Sequence, residues 1–457
     1  MPETRLPRLE ALLRRNGPQT AAALGASLGV SQPTVSRLLA SAGERIVRIG
    51  KARASRYALG REIGRAGSHW PLYRIQEDGQ PEALGELRAL HGDGFLFEPA
   101  RPLPALLHGT FRDGLFPGLP WFLDEQRPQG FLGRAFVHRV AADIGAPDDL
   151  SRWRADDVVL ALLRHGEDEP GDLVLGDSAL RSALQAMLSP DALAPSDRAA
   201  LYPTLAEEAL AGEDVGSSAG GEQPKFTALL HDDTGSHAVI VKFSERAGTP
   251  AAQRWADLLR CEHLAGNIMR AHGIAVAETE LLEADGRVFL QSLRFDRTPA
   301  LGRRGLVSLA ALDAAYYGQG RIDWWAFAPQ LHRDGWLDER DAHTLAVLGW
   351  FGALIGNSDM HLGNASLVLT DTRPLALAPS YDMLPMELRP ASTGEVVARR
   401  IEVPAPLPAQ RHAWSAAAPM ARDFWRCVAA APEVSSGFRD IAGERLLALE
   451  AAAVRFM

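Results

Sequence analysis

The chain is poor in cysteine, with two in 457 residues, Cys261 and Cys427. Two thiols cannot build a disulfide framework, and no Cys/His spacing reads as a zinc site. No apolar run approaches the ~18 residues that a membrane-spanning helix needs. The amino terminus has no basic start, apolar centre and small-residue cleavage site of a secretory signal. Internal repeats and low-complexity tracts are missing too. These absences predict a cytoplasmic protein in reducing surroundings, with no membrane partner.

What is present is an ordinary globular composition, 46% hydrophobic and 23% charged, in a chain long enough for two or three domains. The net charge of −9 is unevenly spread. Residues 1–62 hold 11 Lys/Arg against 4 Asp/Glu, a net of +7, so the remainder carries −16. A basic module joined to an acidic body points to nucleic acid as a partner of the first part.

Leu6–Arg15 reads as a short helix. Thr20–Leu28 reads as a second, closed by Gly29, and a third starts at Ser31 as N-cap and runs to Leu39. Leu24, Leu28, Val30, Val35 and Leu38 have the buried spacing of a helix-turn-helix, with small Gly25 where the two helices cross. Arg45–Leu59 then resembles the wing of the winged helix-turn-helix family. Gln32, Thr34, Ser36 and Arg37 would face the major groove of double-stranded DNA. Arg45, Arg48, Lys51, Arg53 and Arg56 would neutralise phosphates. Gly60–Ser68 reads as a linker, and Trp70–Phe97 as short strands of a small barrel or sheet. Phe111–Arg134, rich in Gly, Pro and aromatics, reads as a packed structural loop, and Asp156–His165 and Ser178–Met187 as helices.

The richest chemistry lies in Gly349–Val368, GWFGALIGNSDMHLGNASLV. A short polar loop sits between two apolar runs, which is where a scaffold presents reactive groups. Asp359 and Asn364 stand five apart, the spacing of the protein-kinase catalytic loop, in which the Asp receives the hydroxyl proton and the Asn holds magnesium. Leu367–Leu369 and Leu375–Leu377 read as a hairpin, after which Asp382 stands where a second metal-binding residue belongs. Upstream, Val215–Phe226 carries Gly216, Gly220, Gly221 and Lys225, a loop able to approach phosphate oxygens without matching Walker A or G-x-G-x-x-G. The strand Ala238–Phe243 presents Lys242, and the helix Ala251–Ala271 presents Glu262, the pairing that phosphoryl transfer requires. The hairpin Val276–Leu282 and Arg287–Leu293 follows.

The segments SSAGGEQPKF (217–226), VIVKF (239–243), RFDR (294–297), GNSDMHLGN (356–364), SYDMLP (380–385) and GFLGR (130–134) resemble the HipA-type serine/threonine kinases, the toxin half of bacterial toxin–antitoxin pairs. The resemblance implies an α+β fold: a two-lobed protein-kinase-like core preceded by a small β-rich subdomain. Here an amino-terminal winged helix-turn-helix is fused in front, as in the variant where one polypeptide carries both parts. The expected domains are 1–62 for DNA, 69–200 for the β-rich subdomain, 201–295 for the kinase N-lobe and 296–457 for the C-lobe. The resemblance further implies ATP and Mg2+ as cofactors and a protein substrate in the translation machinery. Asp359 would be catalytic, with Asn364 and Asp382 binding metal and Glu262 pairing with Lys242. Gly220, Gly221, Glu222, Gln223, Pro224, Lys225, Lys242, Ser292, Leu293, Phe295 and His361 would bind ATP. Ser218 would be an autophosphorylation site, where added charge repels the ATP phosphates. Gly363 departs from the family, which often has Lys beside the metal-binding Asn. Two other readings compete: a DNA-binding regulator whose kinase-like body senses nucleotide, and a small-molecule kinase. A homodimer is expected, because helix-turn-helix readers usually address two half-sites.

Overall fold

The computed structural model describes residues 5–51, 55–211, 223–397 and 402–456. The chain forms two compact units, residues 1–76, 80–127 and 140–188 in one and 77–79, 128–139 and 189–457 in the other.

The first unit opens with helices Arg5–Asn16, Ala21–Leu28 and Gln32–Ser41. Strands Gln19–Thr20, Arg56–Leu59 and Ile46–Ile49 form an antiparallel sheet in that spatial order. These are the elements expected of a winged helix-turn-helix, and Leu9, Leu13, Leu24, Val35, Leu38 and Leu59 form their core. The Thr20 hydroxyl accepts from the Ala23 amide, and Gly29 turns the chain at φ 65°. A Cβ on Gly25 would stand 3.1 Å from the Val30 carbonyl oxygen, so the helices cross there because the residue is small. Ser31 occupies the N-cap position, but its hydroxyl bonds the Thr34 hydroxyl at 3.1 Å instead of a backbone amide.

A second antiparallel sheet in this unit runs Leu115–Phe116, Phe95–Pro99, Pro81–Ala89, His69–Ile75, Leu173–Leu175. Helix Asp177–Leu188 packs on it through Ala179 and Ala183, beside Ile75 and Val174. The expected linker at Gly60–Ser68 is instead a packed connection. Ile63 is buried, the Arg61 amide donates to the Ala89 carbonyl at 2.9 Å, and its guanidinium pairs with Asp156. Its Gly-rich composition serves tight turns rather than freedom. Phe111–Arg134 is packed as expected, but it contains the strand Leu115–Phe116 and a helical turn, Trp121–Asp124, buried through its aromatic rings.

The second unit is built on an antiparallel sheet ordered Thr279–Ala284, Arg287–Leu293, Gly235–Phe243, Lys225–Asp232. Tyr202, Phe226, Val241, Phe243 and Phe289 pack one face. Leu259 and Ala256, from helix Pro250–Ala271, pack with Val288 and Leu290. A mostly helical part follows, with Glu339–Ile355, Arg411–Ala430 and Ser436–Phe456 in succession and a small sheet, Leu306–Ser308, Ser366–Val368 and Ala376–Leu377.

Helix Pro250–Ala271 is tied to this helical part at three points. The Asp257 carboxylate, buried to 1% exposure, accepts from the Ser435 amide at 3.0 Å and its hydroxyl at 2.5 Å. Arg254 donates to the Leu388 carbonyl at 3.0 Å and lies 5.1 Å over the Phe438 ring.

A β-branched residue at the helix crossing has nowhere to go. Gly25→Val is expected to destabilise the first unit by about 1–3 kcal/mol through overpacking. Hydrogen exchange should show lost protection across residues 21–41, and unchanged protection there would refute the close-packing account.

Candidate active site

Helix Glu339–Ile355 ends at Gly356, φ 76°, and the Asn357 amide donates back to the Gly352 carbonyl at 2.8 Å. Gly352 leaves room for Met360, whose sulfur would lie 2.4 Å from a Cβ placed there. The polar loop is thus held against the helix that precedes it. Asn357 then stitches two segments together. Its Oδ1 accepts from the Asp359 amide at 3.0 Å, and its Nδ2 donates to the Asp382 carbonyl at 3.1 Å. The Tyr381 hydroxyl adds a second stitch, donating to the Gly363 carbonyl at 3.0 Å and accepting from Ser366 at 2.8 Å.

Within the loop, Asn364 Nδ2 donates to the Asp359 carbonyl at 2.8 Å, which leaves Oδ1 with no protein donor among the described residues. His361 Nδ1 accepts from the Gly363 amide at 3.0 Å. In the neutral ring that bond places the proton on Nε2, so His361 presents a donor. Asp382 holds φ 57°, the left-handed region that non-glycine residues seldom occupy.

The lysine comes from the sheet. Lys242 stands opposite Lys225 in register on the neighbouring strand. Its Nζ donates to Glu262 Oε1 at 2.7 Å and Oε2 at 2.8 Å, and to Asp382 Oδ1. Lys242 is 7% exposed and Glu262 6%. An ammonium has three donors, and all three are spent on carboxylates, so an anionic ligand would compete with Asp382 for Nζ.

The electrostatics follow from that geometry. Burial alone would push the Lys242 ammonium down, but the Asp382 and Glu262 carboxylates outweigh it, and the lysine is held charged. Burial raises Glu262, partly offset by Lys242. Burial also opposes ionisation of Asp382, yet Lys242, Lys225 and His361 bring its carboxyl down to about 2. The Asp382 pairing therefore contributes stability above the ordinary carboxylate range and loses it as pH falls through about 2. Asp382 is an anion at neutral pH, and its carboxylate and the Asn364 amide oxygen are both oxygen donors, the kind that suits Mg2+. No cluster of three or more His, Cys, Asp or Glu in metal-binding arrangement occurs among the described residues. A cation would therefore complete its shell from water and phosphate.

The other residues singled out by sequence fall as follows. Gln223 Nε2 donates to the Phe243 carbonyl at 3.0 Å, and the Pro224 carbonyl accepts from the Phe243 amide at 3.2 Å, which fixes the strand end before Lys225. Ser292 and Leu293 are the last two residues of strand Arg287–Leu293, paired with Ile240 and Val239. The Leu293 and Arg294 amides are spent on the Glu278 and Ala238 carbonyls. Phe295 comes next, its ring 5.8 Å from that of Tyr381. Ser218, Gly220, Gly221, Glu222 and Arg53 lie outside the described residues. In the first unit Gln32, Ser36, Arg37 and Lys51 are exposed and Thr34 is half-buried. Three expected phosphate contacts are already engaged. Arg45 pairs with Glu10, Arg56 with Asp113, and Arg48 donates to the Ser55 hydroxyl. A cavity of about 320 Å³ bounded by Ser244, Ala256, Arg260 and Asp285 contains none of the clustered residues.

Sequence reasoning passed over Asn357, whose stitching role no spacing reveals. It also passed over a usable signal: the chain has only three lysines, Lys51, Lys225 and Lys242, and uses arginine everywhere else. A compact ammonium is not interchangeable with a guanidinium in a tight carboxylate cluster, and two of the three are here.

Residues 66–184 match the YjjJ-like toxin middle domain, and residues 217–436 match the HipA-like C-terminal domain. The chain is 38% identical to Toxin YjjJ of Escherichia coli (strain K12) over 430 residues, 94% of each chain. It is 29% identical to the putative kinase Y4dM of Sinorhizobium fredii over 190 residues, 36% of this chain and 44% of that one. Among solved structures, a chain of the Shewanella oneidensis MR-1 HipA, HipB and operator DNA complex shares the fold, with a TM-score of 0.53 at 15% identity, covering 84% of this chain and 97% of that one.

Replacing the lysine should expose the tension it relieves. In Lys242→Met, Glu262 and Asp382 lose their shared counter-charge, and stability near neutral pH is expected to fall by about 3–5 kcal/mol. Burial and Asp382 are then offset only by Lys225, and the Glu262 pKa rises further above its unfolded value, so the folded state binds the extra proton and the deficit shrinks as pH falls. Urea unfolding of wild type and variant between pH 8 and pH 5.5 checks this, and a deficit independent of pH would count against the cluster.

Proposed function

Since the chain belongs to the YjjJ-like toxin family and carries a HipA-like C-terminal domain, we propose that it is an ATP- and magnesium-dependent serine/threonine kinase acting on a protein substrate. The observation that carries this reading is the buried Lys242–Glu262–Asp382 cluster, stitched by Asn357 to the loop bearing Asp359. Lys242, positioned by Glu262, holds phosphate oxygens. Lys225 adds positive charge and His361 a donor. Asn364 and Asp382 hold the cation, which when bound offsets charge on the phosphates. Asp359 takes the proton of the substrate hydroxyl as its oxygen bonds the γ-phosphorus. The bond from that phosphorus to the β,γ-bridging oxygen breaks, and ADP leaves with the electron pair. Ser218 is the proposed site of self-modification.

The same polypeptide is proposed to bind double-stranded DNA as a homodimer through residues 1–62, by way of Gln32, Thr34, Ser36, Arg37, Lys51 and Arg53. The exposure of Gln32, Ser36 and Arg37 on one helix supports this part.

With labelled ATP and Mg2+, the full-length protein should label itself or a lysate protein, and Asp359→Asn should lower the rate by about 10³-fold, the scale of a lost general base. Equal labelling by the variant would leave only nucleotide sensing. Ser218→Ala should remove self-labelling alone. For the DNA part, Arg37→Ala with Lys51→Ala should weaken duplex binding and flatten its salt dependence, each lost phosphate contact reducing the slope by about 1. Unchanged binding and slope would place the DNA contact elsewhere or nowhere.

A further inference from the structure

The segment after Asp382 turns through Met386–Leu388, and the Glu387 amide donates to the Gly356 carbonyl at 2.9 Å, which lays the turn beside the start of the polar loop. Arg389 follows. Its Nη1 donates to the Ser358 hydroxyl at 3.2 Å, so the guanidinium lies against the residue adjoining Asp359. Its other contact, to the Met386 carbonyl, is long at 3.5 Å. Arg389 is half-buried, and no carboxylate lies within ion-pair distance of it among the described residues. Elsewhere in the second unit a guanidinium is matched by an acid, as Arg260 is by Glu283 and Arg287 by Glu207.

Two further arginines lie along this turn. Arg254 donates to the Leu388 carbonyl, and Arg445, 6% exposed, is the cation on which the Glu387 carboxylate acts. The acids beside these two are directed to them, Asp257 to Arg254 and both Glu387 and Glu444 to Arg445, while Arg389 has no such partner among the described residues. A partly desolvated guanidinium without a counter-ion favours an anion arriving from solution, and Arg is suited to bind a carboxylate in bidentate fashion.

We infer that Arg389 is a specificity residue for the protein substrate: it binds an acidic side chain close in sequence to the hydroxyl presented to Asp359. The inference rests on the kinase reading above and adds the substrate class, a segment in which serine or threonine is flanked by Asp or Glu. An alternative role, bracing the loop through Ser358, makes a different prediction. Ser358→Ala would then behave as Arg389→Ala does.

The experiment uses full-length protein, ATP with Mg2+, and three synthetic serine peptides whose flanks are acidic, alanine-only or basic. ADP release by wild type and by Asp359→Asn is measured alongside. Wild type should favour the acidic peptide over the alanine peptide about 10-fold in kcat/KM, mostly through KM, the scale of one charge-assisted hydrogen bond. Arg389→Ala should bring that ratio near 1, Ser358→Ala should preserve it, and Arg389→Glu should turn the preference toward the basic peptide. A flat ratio in an ATP-consuming wild type overturns the inference, as does a ratio that survives both Arg389 variants or the absence of any peptide phosphorylation. Should wild type release no more ADP than Asp359→Asn, it is the kinase reading that fails, and the inference with it.

Discussion

One ammonium buried between two carboxylates constrains the whole second unit. Lys242, Glu262 and Asp382 come from a strand, a helix and a turn far apart in sequence, and their charged atoms must meet within hydrogen-bond distance. A buried charge is tolerable only when its partners are in place. Sheet register, helix position and turn conformation are therefore specified together, and an error in one would leave an uncompensated ion in the interior. The left-handed backbone at Asp382 belongs to the same constraint, since it aims the carboxylate at the lysine.

The cluster also holds the chemistry in reserve. All three lysine donors are occupied, while Asp382 stays ionised and the Asn364 amide oxygen stays free. Under the kinase reading proposed above, a phosphate group would displace one carboxylate from the lysine, and Asn357 ties the Asp382 backbone to the loop bearing Asp359. Asn357 makes this coupling rigid, because its single amide group spans the backbone of both segments.

The parts legible in the sequence were those set by local pattern. Lys242 sits in an apolar strand, Glu262 in a helix with apolar spacing, and Asp359 and Asn364 in a polar loop between buried runs. The pairing of Lys242 with Glu262 is found as read, with Asp382 joining them. What sequence could not supply were partners chosen by tertiary contact. Arg45, Arg48 and Arg56 read as a row of free positive charge, yet Glu10, Ser55 and Asp113 engage them. The Gly60–Ser68 segment has the composition of a tether, but Ile63 and the Arg61–Asp156 pair anchor it. Ser292 and Leu293 do end the hairpin strand as read, but that this strand lies between two others, so that neighbours take the backbone groups there, is set by tertiary contact. Asn357 looked like any asparagine after a helix-ending glycine.

The three ties on helix Pro250–Ala271 carry a consequence for control. Asp257 is fastened by Ser435, and Arg254 by Leu388 and Phe438, on the stretch of helix that leads to Glu262. A helix anchored in this way behaves as a fixed beam, not a lever. An off state produced by rotating it would part a fully buried aspartate from both Ser435 donors and leave it only Gln253 and Arg260 of its own helix, so regulation that spares the fold has to act on other elements and leave this helix in place.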